Sequence, residues 1–383
     1  MNVIIYILAI VLIVTRVYSH IPTKTQGTVK FDLKGHTSFV VTARWSPDGS
    51  KIATASSDST SIIWSAKNGK KIFTLKGHID EVNDVQWSPD GRKVVTASDD
   101  STAIIWSALT GKKIFTLKGH VTWVNDIQWS PDGSKVATAS SDATAIIWSA
   151  GNGKRLFTLK GHNSWVEAVQ WSPDGSKVAT ASGDSTAKTW FITNPTNAHS
   201  HSQTLNPTLG TMQFDLKEHN RFVTSVQWSP DGSKIVTTSG DSLAVVWSAT
   251  NGKKIFTLKG HKDKIDGVQW SPDGMKIATA GDDKTTIIWS ALTSNKIFIL
   301  SGHTHYVTDV QWSPDGSKIA TSSADGTVII WSSSSGTKLF TLKGHTSWVN
   351  VAQWSPDGSK IVTASGDSTA KIWYITNPTS TKR

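Results

Sequence analysis

Residues 35–64 read GHTSFVVTARWSPDGSKIATASSDSTSIIW. Within them, Phe39-Val40-Val41-Thr42-Ala43-Arg44-Trp45 is rich in aromatic and β-branched side chains over the length of one strand. Ser46-Pro47-Asp48-Gly49 is a turn with a mechanism: proline presets φ, aspartate bonds the backbone beyond it, and glycine accepts positive φ. Lys51–Ser56 reads as a second strand, Asp58 and its neighbours turn the chain, and Thr60–Trp64 reads as a third strand. Working outward, Asn68-Gly69 is another turn and Lys71–Leu75 a fourth strand. No part of the unit has helical periodicity.

The unit recurs eight times. The tryptophan of its Trp-Ser-Pro-Asp-Gly element stands at Trp45, Trp87, Trp129, Trp171, Trp228, Trp270, Trp312 and Trp354. The spacing is 42 residues throughout, apart from one 57-residue step between the fourth and fifth copies. A period of this length marks a repeat architecture whose units pool their cores. Four short antiparallel strands per unit describe a propeller blade, so the sequence predicts an all-β, eight-bladed β-propeller.

These residues resemble the WD40 family over about residues 28–378. In that family a His before the first strand, a Ser or Thr in the second, an Asp in the next turn and a Trp in the third form a buried hydrogen-bonded tetrad. The resemblance implies the sets His36, Thr54, Asp58, Trp64 and His78, Thr96, Asp100, Trp106 in the first two units. The next two carry His120, Thr138, Asp142, Trp148 and His162, Thr180, Asp184, Trp190. The fifth and sixth carry His219, Thr237, Asp241, Trp247 and His261, Thr279, Asp283, Trp289. The last two carry His303, Thr321, Asp325, Trp331 and His345, Thr363, Asp367, Trp373. Each group costs stability when buried unless bonded, and a satisfied network stiffens the blade. Three features depart from the family pattern. Its terminal Trp-Asp is Trp-Ser in six units and Trp-Phe or Trp-Tyr in the fourth and eighth, Glu218 replaces the glycine of the fifth Gly-His, and Ser301 replaces a lysine.

The chain also contains a larger duplication. Repeats 1–4, about residues 29–196, open on Phe31-Asp32-Leu33-Lys34, and repeats 5–8, about residues 211–379, open on Phe214-Asp215-Leu216-Lys217. The polar stretch at about 197–210 separates them as a loop, and 380–383 form a tail. In the family the first strand completes the last blade. Val29–Leu33 is therefore expected to close the eighth blade of a single ring, with two four-bladed rings as the alternative.

Val3–Val14 is an unbroken apolar run, too short to span a bilayer and matching the core of a secretory signal. Residues 1–19 are thus expected to be a signal peptide and 20–28 an N-terminal extension, placing the protein in a secreted or luminal setting. A cytoplasmic scaffold is the reading if that segment is not a signal. Cysteine is absent, which excludes disulfides and thiolate metal sites. The net charge is +10, with lysines recurring around the repeats, so an anionic partner stays open.

The tetrads contain hydroxyl, imidazole and carboxylate, but eight equivalent copies are not eight active sites, and no catalytic residue is assigned. His199 and His201 are too few for a metal site, and an N-terminal His20 has no nameable partners, so neither a metal nor a cofactor is expected. Function is sought where the copies differ. Three residues after each tetrad histidine stand Phe39, Glu81, Trp123, Trp165, Phe222, Lys264, Tyr306 and Trp348. Of the 19 tryptophans, the three outside the invariant pairs are all in this set. The resemblance puts this position on the narrow face near the central opening. Lys34, Lys76, Lys118, Lys160, Lys217, Lys259 and Lys343 each precede a Gly-His or Glu-His and are expected beside it. Together they predict a non-enzymatic scaffold that binds a protein or peptide through aromatic anchors. A carbohydrate or polyanion ligand such as an anionic glycan is the alternative. Nucleic acid is not expected, because the lysines are dispersed, and no stable membrane span is expected.

Overall fold

The computed structural model describes residues 27–192 and 209–375, and within them every regular element is a six-residue strand. The segment 1–26, the His199/His201 stretch and the tail after residue 375 lie outside the described residues, so the signal peptide and His20 expectations are not addressed by it. Thirty-two strands, numbered β1 to β32 in chain order, form eight four-stranded sheets. In the first blade β2 (Val40–Trp45) is innermost, followed outward by β3 (Lys51–Ser56), β4 (Thr60–Ser65) and β5 (Lys71–Lys76). Adjacent strands run antiparallel. The innermost strands of neighbouring blades touch, as β2 does with β6 (Val82–Trp87) on one side and β30 (Val349–Trp354) on the other. That contact closes the circle.

Blade stacking explains the residue pattern. Middle strands are covered on both faces and carry continuous small or β-branched runs, such as Ile52-Ala53-Thr54-Ala55 and Ile62-Ile63. Outermost strands have one free side, and β5 exposes a lysine at each end. The core is not inside the blades but between them: eight apolar clusters each span one seam. At the seam of blades 8 and 1, Val362, Ala364 and Ile372 meet Val40, Ile52 and Trp64. At the seam of blades 4 and 5, Ala179, Ala181 and Leu216 meet Val223, Val226 and Ile235.

Ring closure follows from two equivalent strands. β1 (Val29–Lys34) pairs with β32 (Thr369–Tyr374) and completes blade 8 together with β31 (Lys360–Ser365) and β30. β17 (Met212–Lys217) pairs with β16 (Thr186–Phe191) and completes blade 4. The chain therefore forms one eight-bladed ring, and two four-bladed rings are excluded. Fully buried Leu33 contributes roughly 2 kcal/mol to this closure.

The repeated turn also has a tertiary role. The Trp87 indole donates to the Arg44 carbonyl of the preceding blade at 3.0 Å, and Trp45 does the same to Gln353 across the closing seam at 3.1 Å. Five of the remaining six repeats have the same bond, at Trp129, Trp171, Trp228, Trp312 and Trp354, whereas the Trp270 Nε1 is buried with no partner. Pro47 lies against Gly91 of the next blade, and Pro356 lies against Gly49 of the first.

Candidate functional site

Each tetrad histidine precedes an innermost strand, and each tetrad aspartate sits in the turn between second and third strands, so both arrive at one end of the blade. In blade 3 the His120 Nδ1 is 2.8 Å from the Asp142 carboxylate, the His120 Nε2 is 2.8 Å from the Thr138 hydroxyl, and the Trp148 indole donates to that hydroxyl at 2.9 Å. The same three contacts join His36, Asp58, Thr54 and Trp64, and His78, Asp100, Thr96 and Trp106. They recur in the other five blades.

A fifth member was not legible as such. Thr60 donates its hydroxyl to Asp58 at 2.6 Å, and six other blades have the equivalent bond. Blade 5 has Leu243 there, and Asp241 offers both oxygens to His219 instead, at 3.0 and 3.2 Å. Glu218, the other oddity of this blade, reaches out to pair with Lys254. Burial pushes the Asp58 pKa up, but bonds from Thr60, the Thr37 amide and His36 outweigh it and leave it low. Burial lowers the pKa of His36, His78, His162 and His345 against the pull of their aspartates. The threonine hydroxyls are fully buried and already bonded, so they are not placed to act as nucleophiles.

The variable residues lie at the rim of the central channel on the tetrad face. Their carbonyls accept from the residue before each tetrad aspartate: Phe39 from Ser57, Glu81 from Asp99, Trp123 from Ser141, Trp165 from Gly183. The same bond joins Phe222 to Gly240, Lys264 to Asp282, Tyr306 to Ala324 and Trp348 to Gly366. Trp123, Trp165 and Trp348 are 55%, 43% and 41% exposed, and Phe39, Phe222 and Tyr306 are exposed as well. Trp348 and Phe39 pack edge to face with ring centres 5.1 Å apart.

The lysines are not beside these aromatics. Lys34, Lys76, Lys118, Lys160, Lys217, Lys259 and Lys343 each end an outermost strand, while the aromatics precede innermost ones. Three strand spacings, about 14 Å in all, separate the two sets. The expected aromatic-and-lysine ring is therefore two concentric sets, because the chain crosses the whole blade radius between Lys34 and Phe39. Two lysines are also engaged: Lys34 with Asp32 at 3.3 Å and Lys217 with Asp215 at 2.8 Å. Lys264, the one cation of the inner set, is held by Asp266 at 2.8 Å and Asp282 at 3.6 Å.

Sequence reading missed the channel itself. Asp84, Asp126 and Asp309 project from innermost strands, with Arg44 nearby, its guanidinium 4.0 Å from Asp84. Burial, then the neighbouring Asp84 charge, pushes the Asp126 pKa up to about 7, and burial pushes Asp309 to about 6. A carboxyl whose folded pKa is raised weakens the fold as pH climbs from its unfolded value near 4 to its folded value near 7. Replacing Asp126 by Asn should therefore stabilise the ring by a few kcal/mol at pH 8 and hardly at all near pH 4. Denaturant melts of both proteins at the two pH values test this, and a gain that grows toward acid pH would refute it.

The eight repeats match the family model described as WD domain, G-beta repeat, at residues 27–65, 69–107, 111–149, 153–190, 210–248, 252–290, 294–332 and 336–374. The chain belongs to the WD40 family. Each WD40 match begins on an outermost strand and continues into the next blade, so the sequence unit is offset from the blade by one strand. Among solved structures, the WD40 ring of this chain is similar to a crystal structure of the computationally designed Ika8 protein, 24% identical, with a TM-score of 0.79. That match covers 92% of this chain and 100% of the designed one, and carries the fold alone. WD40 propellers are generally non-catalytic scaffolds that bind proteins.

Proposed function

We propose that this protein is a binding scaffold that takes a protein or peptide segment on the tetrad face, at the channel rim. The observation that carries the reading is the concentration of exposed apolar groups on adjacent blades: Ile79, Val121, Trp123 and Trp165 follow one another on blades 2 to 4 of that face. Large apolar side chains at a rigid rim are what binding hot spots use, and aromatic groups lose little entropy on docking. The tetrads behind them hold the rim fixed. A polyanion ligand has less support, because the repeated lysines end outermost strands and Lys264 of the inner set is paired within its own blade.

The apolar run Val3–Val14 supports a secreted or luminal setting for this scaffold. One purification serves both readings: native protein is recovered with its bound partner and its N-terminus is determined by mass spectrometry. A mature chain starting near His20 is expected. The Trp123→Ala, Trp165→Ala double substitution is then expected to weaken capture of that partner by about tenfold or more with little change in melting temperature. Undiminished capture would remove the reading of this face.

A further inference from the structure

Trp123 and Trp165 differ from the other rim aromatics in what lies between them. Phe39 and Trp348, across the seam of blades 8 and 1, pack on each other. Trp123 and Trp165, across the seam of blades 3 and 4, instead bound an open groove of about 490 Å3 shared with Asn125, Ser141 and Glu167. One wall is fixed. Trp165 lies flat on the turn at Gly183, so closely that a Cβ there would stand 2.4 Å from the indole Cε2. Trp123 has Ser141 in that place and stands more exposed.

Glu167 occupies the second position of its innermost strand, where most blades build a bridge to the next. Asn83, Asn125 and Asn350 donate to the carbonyls of Val124, Val166 and Val40 at 3.0, 2.9 and 3.0 Å. Thr224 and Thr308 donate to Ile265 and Val349, both at 2.6 Å. An ionised carboxylate cannot donate, and Glu167 makes no hydrogen bond or ion pair among the described residues. Its counterpart Asp266 is answered by Lys264. On the blade 2 side stand Glu81 and Asp99 at the rim and Asp84 and Asp126 on innermost strands, with Arg44 beside Asp84, while Arg221 stands on the blade 5 side with its guanidinium on the Gly240 carbonyl. A chain of net charge +10 thus presents an unpaired carboxylate between two indoles.

We infer that this groove takes one arginine side chain of the bound segment, its guanidinium plane against the indoles and its N–H groups on the Glu167 carboxylate. The inference rests on the reading of the tetrad face given above. Arginine suits the site better than lysine because a flat, weakly hydrated cation stacks on an indole while its edge forks onto a carboxylate. Glu167 is exposed at the groove mouth, yet the protein around it desolvates the carboxyl enough to hold its pKa up, with the Lys264 charge opposing, so an arriving cation stabilises the charged form. Affinity should accordingly rise with pH through the acid range.

The test uses the full chain and the blocked peptide acetyl-Gly-Arg-Gly-amide, with its uncharged citrulline analogue as reference, read by tryptophan fluorescence. Saturable binding is expected to be about tenfold stronger for the arginine peptide. Glu167→Gln should erase most of that difference. Gly183→Ala should weaken binding too, since it unseats Trp165 while keeping every groove side chain, and Leu339→Ala on an outermost strand should change nothing. Thermal melts of each variant show whether it is folded. Equal binding of the two peptides, no saturable binding, or full affinity in folded Glu167→Gln would overturn the inference. If partner capture still depends on Trp123 and Trp165 in that case, the binding face stands and only its arginine preference falls; if capture does not, the face itself is wrong.

Discussion

A fragment of residues 209–383 is expected to assemble as a dimer that rebuilds an eight-bladed ring. In the whole chain β17 serves blade 4 and β1 serves blade 8, and the two strands are chemically interchangeable. β1 aligns Asp32, Leu33 and Lys34 with Lys371, Ala370 and Thr369, while β17 aligns Asp215, Leu216 and Lys217 with Lys188, Ala187 and Thr186. Both pairings have a bulge near the strand start, and both are pinned by a buried lysine: Lys371 to Asp32 at 2.9 Å and Lys188 to Asp215 at 2.6 Å. In the fragment β17 has lost β16, and the edge of β32 has lost β1. Closing one copy on itself would double the wedge angle per blade and tear open the seam clusters. Pairing β17 of each copy with β32 of the other keeps the angle and restores all eight seams, giving a closed twofold assembly. Light scattering should report twice the fragment mass, and Leu216→Asp should abolish the dimer. A compact monomer with a cooperative melt would show that blade packing tolerates four-fold closure.

The second large effect is expected from Thr138→Val. With His120 donating through Nδ1 to Asp142, its Nε2 is an acceptor, and the bonds run from the Trp148 indole to the Thr138 hydroxyl and from that hydroxyl to His120. Valine keeps the shape and removes the centre of this chain. The indole N–H and the imidazole Nε2 are both left buried without partners, at about 1–3 kcal/mol each. A loss of about 2–5 kcal/mol is expected. Thr138→Ser keeps the hydroxyl and should lose only about 1 kcal/mol for the missing methyl. Denaturant unfolding at neutral pH separates the two, and a valine variant as stable as the serine one would mean the network adds nothing to the fold.

The tetrads were readable through the resemblance to the WD40 family, whose four residue types fall within every one of the eight repeats. The threonine at position 60 and its equivalents had the same periodicity, yet nothing in its residue type distinguished a bonded threonine from an ordinary strand residue. The rim residues were readable as the positions where copies differ. Their relation to the lysines was not, because Lys34 and Phe39 are five residues apart in the chain but at opposite radii of the ring. Glu167 gave no signal either: its meaning comes from the bridges that its equivalents make to the next blade.

Periodicity, strand content and turn chemistry were determined by the sequence alone, and the tetrad partners by its resemblance to a family, since each depends on contacts inside a single unit. Which strand closes which blade was decided only in three dimensions. Phe-Asp-Leu-Lys occurs at both residues 31–34 and 214–217, and either copy could pair with either edge. The choice between one ring and two was made by the angle at which neighbouring blades bury their seams, a property of packed surfaces that no single strand contains.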